Sequence, residues 1–174
     1  MMKFQRILFP TDFSAASTHA FELACGIARD YNASILILAV IEEPLAVGEY
    51  AGLDAGFSTG VHAAREKMQA KLVRMKSTVP GVSVQRKVVV GVSATEQILS
   101  FAEREKCDLI VMGTHGRHGV TRILLGSVAD EVVRKAPCPV LVIREAAKVS
   151  DEIPPAKDHG QHSCPSSYRI EAEG

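Results

Sequence analysis

The chain has little with which to hold a metal or cross-link itself: its four cysteines, Cys25, Cys107, Cys138 and Cys164, form no CxxC pair and no short regular spacing. That argues against a zinc site and a disulfide framework, and it fits a reducing cytoplasm. Net charge is missing too. Lys+Arg and Asp+Glu each number 20, so no broad field draws in polyanions, and neither nucleic acid nor an acidic membrane is an expected partner. Apolar runs such as Ile35 to Ile41 fall far short of the ~20 residues of a membrane-spanning helix, and the N-terminus has no secretory apolar region ending in a small-residue cleavage site. Two phosphate-binding signatures are also absent: no Gly-Lys-Ser/Thr of a Walker loop occurs, and no GxGxxG follows the first apolar run.

What is present describes one globular domain. Hydrophobic residues make up 47% and charged residues 23% of 174, values at which neither a disordered nor a fibrous class fits, and a chain of this length has room for a single core. Phe4 to Pro10 reads as a short buried strand that Pro10 stops. Asp12 and Ser14 are candidate caps for a helix whose apolar positions, Ala16 to Tyr31, recur at helical spacing. Ser34 to Ile41 is apolar throughout, as a strand buried on both faces must be. Glu42 to Gly60, with Pro44 and four glycines, reads as a mobile connection. A helix is expected from His62 to Thr78, a strand from Val82 to Val90, a helix from Ala94 to Glu105 and a strand from Asp108 to Gly113. After a glycine-rich stretch, Leu125 to Ala136 shows a last helical stripe, ended by Pro137-Cys138-Pro139, and Val140 to Ile143 a fifth strand.

Five strands alternating with four helices predict an α/β fold, an open, doubly wound, mostly parallel five-stranded sheet with helices on both faces and right-handed crossovers. Ligands in such sheets bind outside the carboxyl ends of the strands, at the switch in strand order. Residues 146–174, with Pro154-Pro155 and Pro165 and few large apolar residues, read as a flexible C-terminal tail beyond a folded domain at 1–145. His159, His162 and Cys164 in that tail are a weak metal set, and a plain terminal linker is the better reading.

The segment from Gly113 to Val128 carries the chemistry. It joins a strand end to a helix start, and both ends suit an anion: glycines admit close backbone approach, and the free N–H groups and dipole of a helix N-terminus favour negative charge. Ser127 adds a hydroxyl donor, and His115, Arg117 and His118 add positive charge within reach of a polyphosphate. The spacing is G-x2-G-x9-G-S, from Gly113 to Gly116 and on to Gly126-Ser127.

Taken with Ile7 to Ser14 and Ala136 to Ile143, this loop resembles the universal stress protein family over about residues 3 to 144, and its glycine spacing resembles that of the family's ATP-binding branch. The resemblance implies strand order 3-2-1-4-5 and a site in which Pro10, Thr11 and Asp12 face the adenosine and Val40 closes over the adenine. It places Met112 and Gly113 by the ribose, and Gly116, Gly126, Ser127 and Val128 at the phosphates, with Mg²⁺ or Mn²⁺ bridging them; His115 and Arg117 fall on variable positions of the motif. It also implies a homodimer through the fifth strand, Val140 to Ile143, whose apolar edge would otherwise pair without control. The function so implied is a regulatory, stress-response role for bound ATP. A slow ATPase on the same site and a nucleotide-independent dimeric interaction module are the alternatives. For hydrolysis only His115, His118 and Asp12 offer a general base, with no paired nucleophile and no carboxylate cluster.

Overall fold

The computed structural model describes residues 3–43, 54–77, 79–114 and 126–144. Its elements run β1 (Arg6–Pro10), α1 (Ala15–Tyr31), β2 (Ser34–Glu42), α2 (Asp54–Arg74), β3 (Val84–Gly91), α3 (Ala94–Arg104), β4 (Leu109–Gly113), α4 (Ser127–Lys135) and β5 (Val140–Ile143). The five strands form one sheet in the order β3-β2-β1-β4-β5, every neighbouring pair parallel. The doubly wound α/β architecture expected from the sequence is therefore the one observed.

Period-two alternation assigns the faces. Ile7, Phe9, Ile35, Ile37 and Val111 pack with Phe21, Ala24 and Cys25 of α1 and Leu72 of α2. Leu8, Leu36, Leu38, Ile110 and Met112 pack on the other face with Ile98 and Phe101 of α3 and Ala129 and Val132 of α4. Central strands buried on both faces carry no polar alternation, which is why β2 reads as an unbroken apolar run. Met68 and Met75 pack against the first of these clusters, as packing residues rather than a binding groove.

One expectation fails. Asp54 to Gly60 is the first part of α2 and not the end of a loop. Gly56 and Gly60 each weaken a helix by roughly 1 kcal/mol relative to alanine, so local preference points away from it; the packing of Leu72 and Met68 on the sheet lies further along the same helix and overrides that preference. The remainder of the expected connection, the loop residues His115 to Leu125 and the tail from 146 lie outside the described residues. Among the described residues, no helix is long and apolar enough to cross a membrane.

Candidate functional site

The strand order reverses at β1. The chain leaves β1 for β2 on one side and crosses back to β4 on the other, and at such a switch ligands bind beyond the carboxyl ends of the strands. Three segments meet there: the β1–α1 turn, the end of β4, and the start of α4.

The β1–α1 turn is built by short polar side chains. Thr11 is buried; its N–H donates to Leu38 C=O at 2.9 Å, and its hydroxyl lies 2.7 Å from that of Ser17 on α1. The Thr11 hydroxyl also accepts from the Phe13 N–H at 3.1 Å. That bond accompanies a left-handed backbone at Phe13, φ 65°, a conformation bulky residues adopt only under tertiary constraint. Asp12 Oδ1 accepts from the Ser14 N–H at 3.1 Å and from the Ser14 hydroxyl at 2.8 Å. Ser14 in turn caps α1 by accepting from the Ser17 N–H. Of the two candidate caps, Ser14 performs the capping, and Asp12 orients it while staying half-buried at the rim.

Gly113 closes β4 against the first turn of α1. A Cβ built there would lie 3.0 Å from the carbonyl carbon of Ala16 and 3.0 Å from the nitrogen of Ser17. A side chain here would press on the α1 backbone, so the close packing of helix on strand favours glycine. Met112, one residue earlier, points to the opposite face with Leu38, and Val40 packs against the same cluster.

Thr114 ties the ends of the glycine-rich segment together. Its N–H donates to Ile143 C=O at 2.9 Å, and its C=O accepts from the Gly126 N–H at 2.8 Å. The amide of Gly126 is therefore spent within the protein, contrary to a cradle in which it meets phosphate; its place in the motif is that of N-cap and latch. The first intrahelical bond of α4 runs from Asp130 N–H to Gly126 C=O at 2.9 Å. The amides of Ser127, Val128 and Ala129 precede that bond, and Gly126 contributes no side-chain cap to them. Ser127 is exposed and Val128 half-buried.

Val40, Met112 and Val128 thus pack on one face of the sheet, with Pro10 ending β1 and an exposed Ser127 opening α4, while Thr11 bonds Ser17 of α1 and Gly113 lies against Ala16 and Ser17; Asp12 is on the adjoining turn. His115, Gly116 and Arg117 lie outside the described residues. Among the described residues no group of three His, Cys, Asp or Glu gathers to hold a metal. The latch residue Thr114 carries no motif letter and escapes a sequence reading, because its role is set by backbone pairing and not by its side chain.

These features define a doubly wound α/β protein whose switch in strand order is flanked by a polar turn and a helix start. The chain belongs to the universal stress protein family, whose family pattern it matches over residues 3–144. It is 38% identical over 149 residues to a universal stress protein of Methanocaldococcus jannaschii, MJ0531, the match covering 83% of this chain and 85% of that protein. The solved structure of MJ0577 from the same organism is 30% identical, with a TM-score of 0.74 over 84% of this chain and 99% of the other. A universal stress protein solved in complex with cAMP shares the fold at 23% identity and a TM-score of 0.55, over 82% of this chain and 98% of the other.

Proposed function

We propose that this protein binds ATP in the crevice between the β1–α1 turn and the start of α4 and acts, through the bound nucleotide, in regulation of a stress response in the cytoplasm. The observation that carries the reading is the start of α4: three successive amides, of Ser127, Val128 and Ala129, precede the first helical bond, at the carboxyl end of the sheet where anions bind in this architecture. In this proposal Ser127 adds its hydroxyl to those amides at the phosphates, and Gly116 lines the same path. Met112 and Gly113 border the ribose. Asp12, held by Ser14, receives a donor of the adenosine, while Pro10, Thr11 and Val40 shape the adenine wall. His115 and Arg117 supply positive charge along the polyphosphate. Mg²⁺ or Mn²⁺ bound with the nucleotide would offset phosphate charge; the chain's own part is to bind and orient.

The proposed assembly is a homodimer paired through β5. Its outer edge has no strand neighbour among the described residues, and an apolar, unpaired edge favours a partner strand.

Calorimetry of ligand-stripped protein with ATP and Mg²⁺ tests the reading. Saturable heat is expected, and its absence at millimolar ATP would sink the proposal. Ser127→Asp sharpens the test: an added negative charge suits a helix N-terminus by roughly 0.3–1 kcal/mol yet repels phosphate. Its melting temperature should hold or rise while ATP affinity falls about tenfold or more, which is a loss of at least ~1.4 kcal/mol.

A further inference from the structure

The chain's neutrality hides a division. From Asp54 to Gly91 the sequence has seven Lys or Arg against two acids, Asp54 and Glu66, a local excess of +5 that the rest of the net-neutral chain balances with −5. These residues build α2, β3 and their connection, so one edge of the sheet is electropositive. Among the described residues, neither Arg65 nor Lys87 has an acidic partner. Arg86 donates to the C-terminal carbonyls of α2, Leu72 at 2.9 Å and Met75 at 2.6 Å, which fixes its side chain but leaves its positive charge unpaired by a carboxylate.

A cavity of about 430 Å³ lies in this edge, lined by Arg65, Gln69, Leu72 and Val73 of α2 and by Arg86 to Val88 of β3. Its floor is apolar, since Leu72 and Val88 are buried, and its rim includes Val73, which is 66% exposed. The backbone beside it is available. Ile35 N–H donates to Ser83 C=O and Glu43 N–H to Gly91 C=O, so in the alternation of a parallel ladder the odd-numbered residues of β3 face β2. Arg86, Val88 and Val90 turn their N–H and C=O groups to the other edge, which no strand pairs among the described residues.

We infer that this edge docks an extended acidic segment of a partner protein, which adds as a strand to β3 and lays alternate apolar side chains over Leu72 and Val88. Backbone pairing supplies affinity and the basic rim supplies selection for carboxylates. A nucleic acid would meet the charge but find no aromatic ring in the lining on which to stack a base. The plainer role of a basic edge, to discourage strand pairing between copies, predicts no such docking. The inference does not depend on nucleotide binding, because none of these residues belongs to the proposed ATP site.

Fluorescence anisotropy at low salt with a labelled peptide of alternating glutamate and valine, long enough to span β3, tests it. Saturable binding is expected. It should weaken roughly tenfold in the Arg65→Glu/Lys87→Glu protein, and by a similar factor on wild-type protein when alternate peptide nitrogens are N-methylated, which removes strand pairing while leaving every charge in place. Absence of saturable binding, undiminished binding of the N-methylated peptide, or equal affinity for oligodeoxythymidylate would each overturn the proposal. Because the methylation arm uses unaltered protein, a folding defect in the double variant cannot mask the answer.

Discussion

Cys107 illustrates how burial silences a reactive group. It sits in the α3–α4 core, and burial first, then the neighbouring Cys138, pushes its thiol from the ordinary 9.0 up to about 12. Cys138 is raised in the same direction and for the same leading reason. A raised thiol pKa means that the folded state prefers the neutral form. That contribution to stability is intact below about pH 9, where the unfolded thiol also keeps its proton, and is lost as pH climbs from there toward 12. Wild-type stability should therefore fall more steeply between these limits than that of Cys107→Ala, measured as urea midpoints at matched pH. Parallel slopes would show that the thiol does not contribute. The difference in slope is the diagnostic, since the truncation also lowers stability at every pH by leaving a void.

At the scale of elements, α1 depends on a relay of three residues: Asp12 holds Ser14, and Ser14 caps the helix through the Ser17 amide. Ser14→Ala removes the cap and should cost about 0.5–2 kcal/mol, seen as a lower denaturation midpoint with an unchanged slope on denaturant. The elements themselves were largely legible from spacing. Strands buried on both faces announce themselves as apolar runs, and α3 carries Ile98, Phe101 and Ala102 at helical intervals. What could not be read is what long-range contact decides. The helical start of α2 is contradicted by its own glycines, and the guanidinium of Arg86 reaches carbonyls of Leu72 and Met75 that no local pattern connects to it. Within the site, the motif letters placed Gly126 correctly at the strand-to-helix junction but not the fate of its amide, which goes to Thr114. Gly113 invites a ligand reading in sequence, and its close approach to Ala16 and Ser17 of α1 is visible only in three dimensions.

At the scale of the molecule, the sheet ends, among the described residues, in two strands of opposite character. The β3 edge is basic, whereas β5 is apolar from Val140 to Ile143. Pro139 and Ile143 direct their C=O groups to β4, receiving the amides of Ile110 and Thr114, so Val140 and Val142 direct theirs outward. Val142→Pro deletes one outward N–H without removing a bond to β4. For the proposed homodimer, sedimentation velocity should then show a shift from dimer to monomer with the far-ultraviolet circular dichroism retained. A variant that sediments as the wild type does would overturn the proposed pairing through β5.

The Thr114–Gly126 latch has a consequence for how such a protein can diverge. Because the neighbouring backbone is pinned on both sides of residues 115–125, the span between the pins is closed by the scaffold itself. The entropic penalty of closing a loop grows only by about 0.6 kcal/mol for each doubling of its length. Changing the number of residues between the two pins should therefore cost the sheet little stability, so that the length of that span and the stability of the fold can evolve along separate lines.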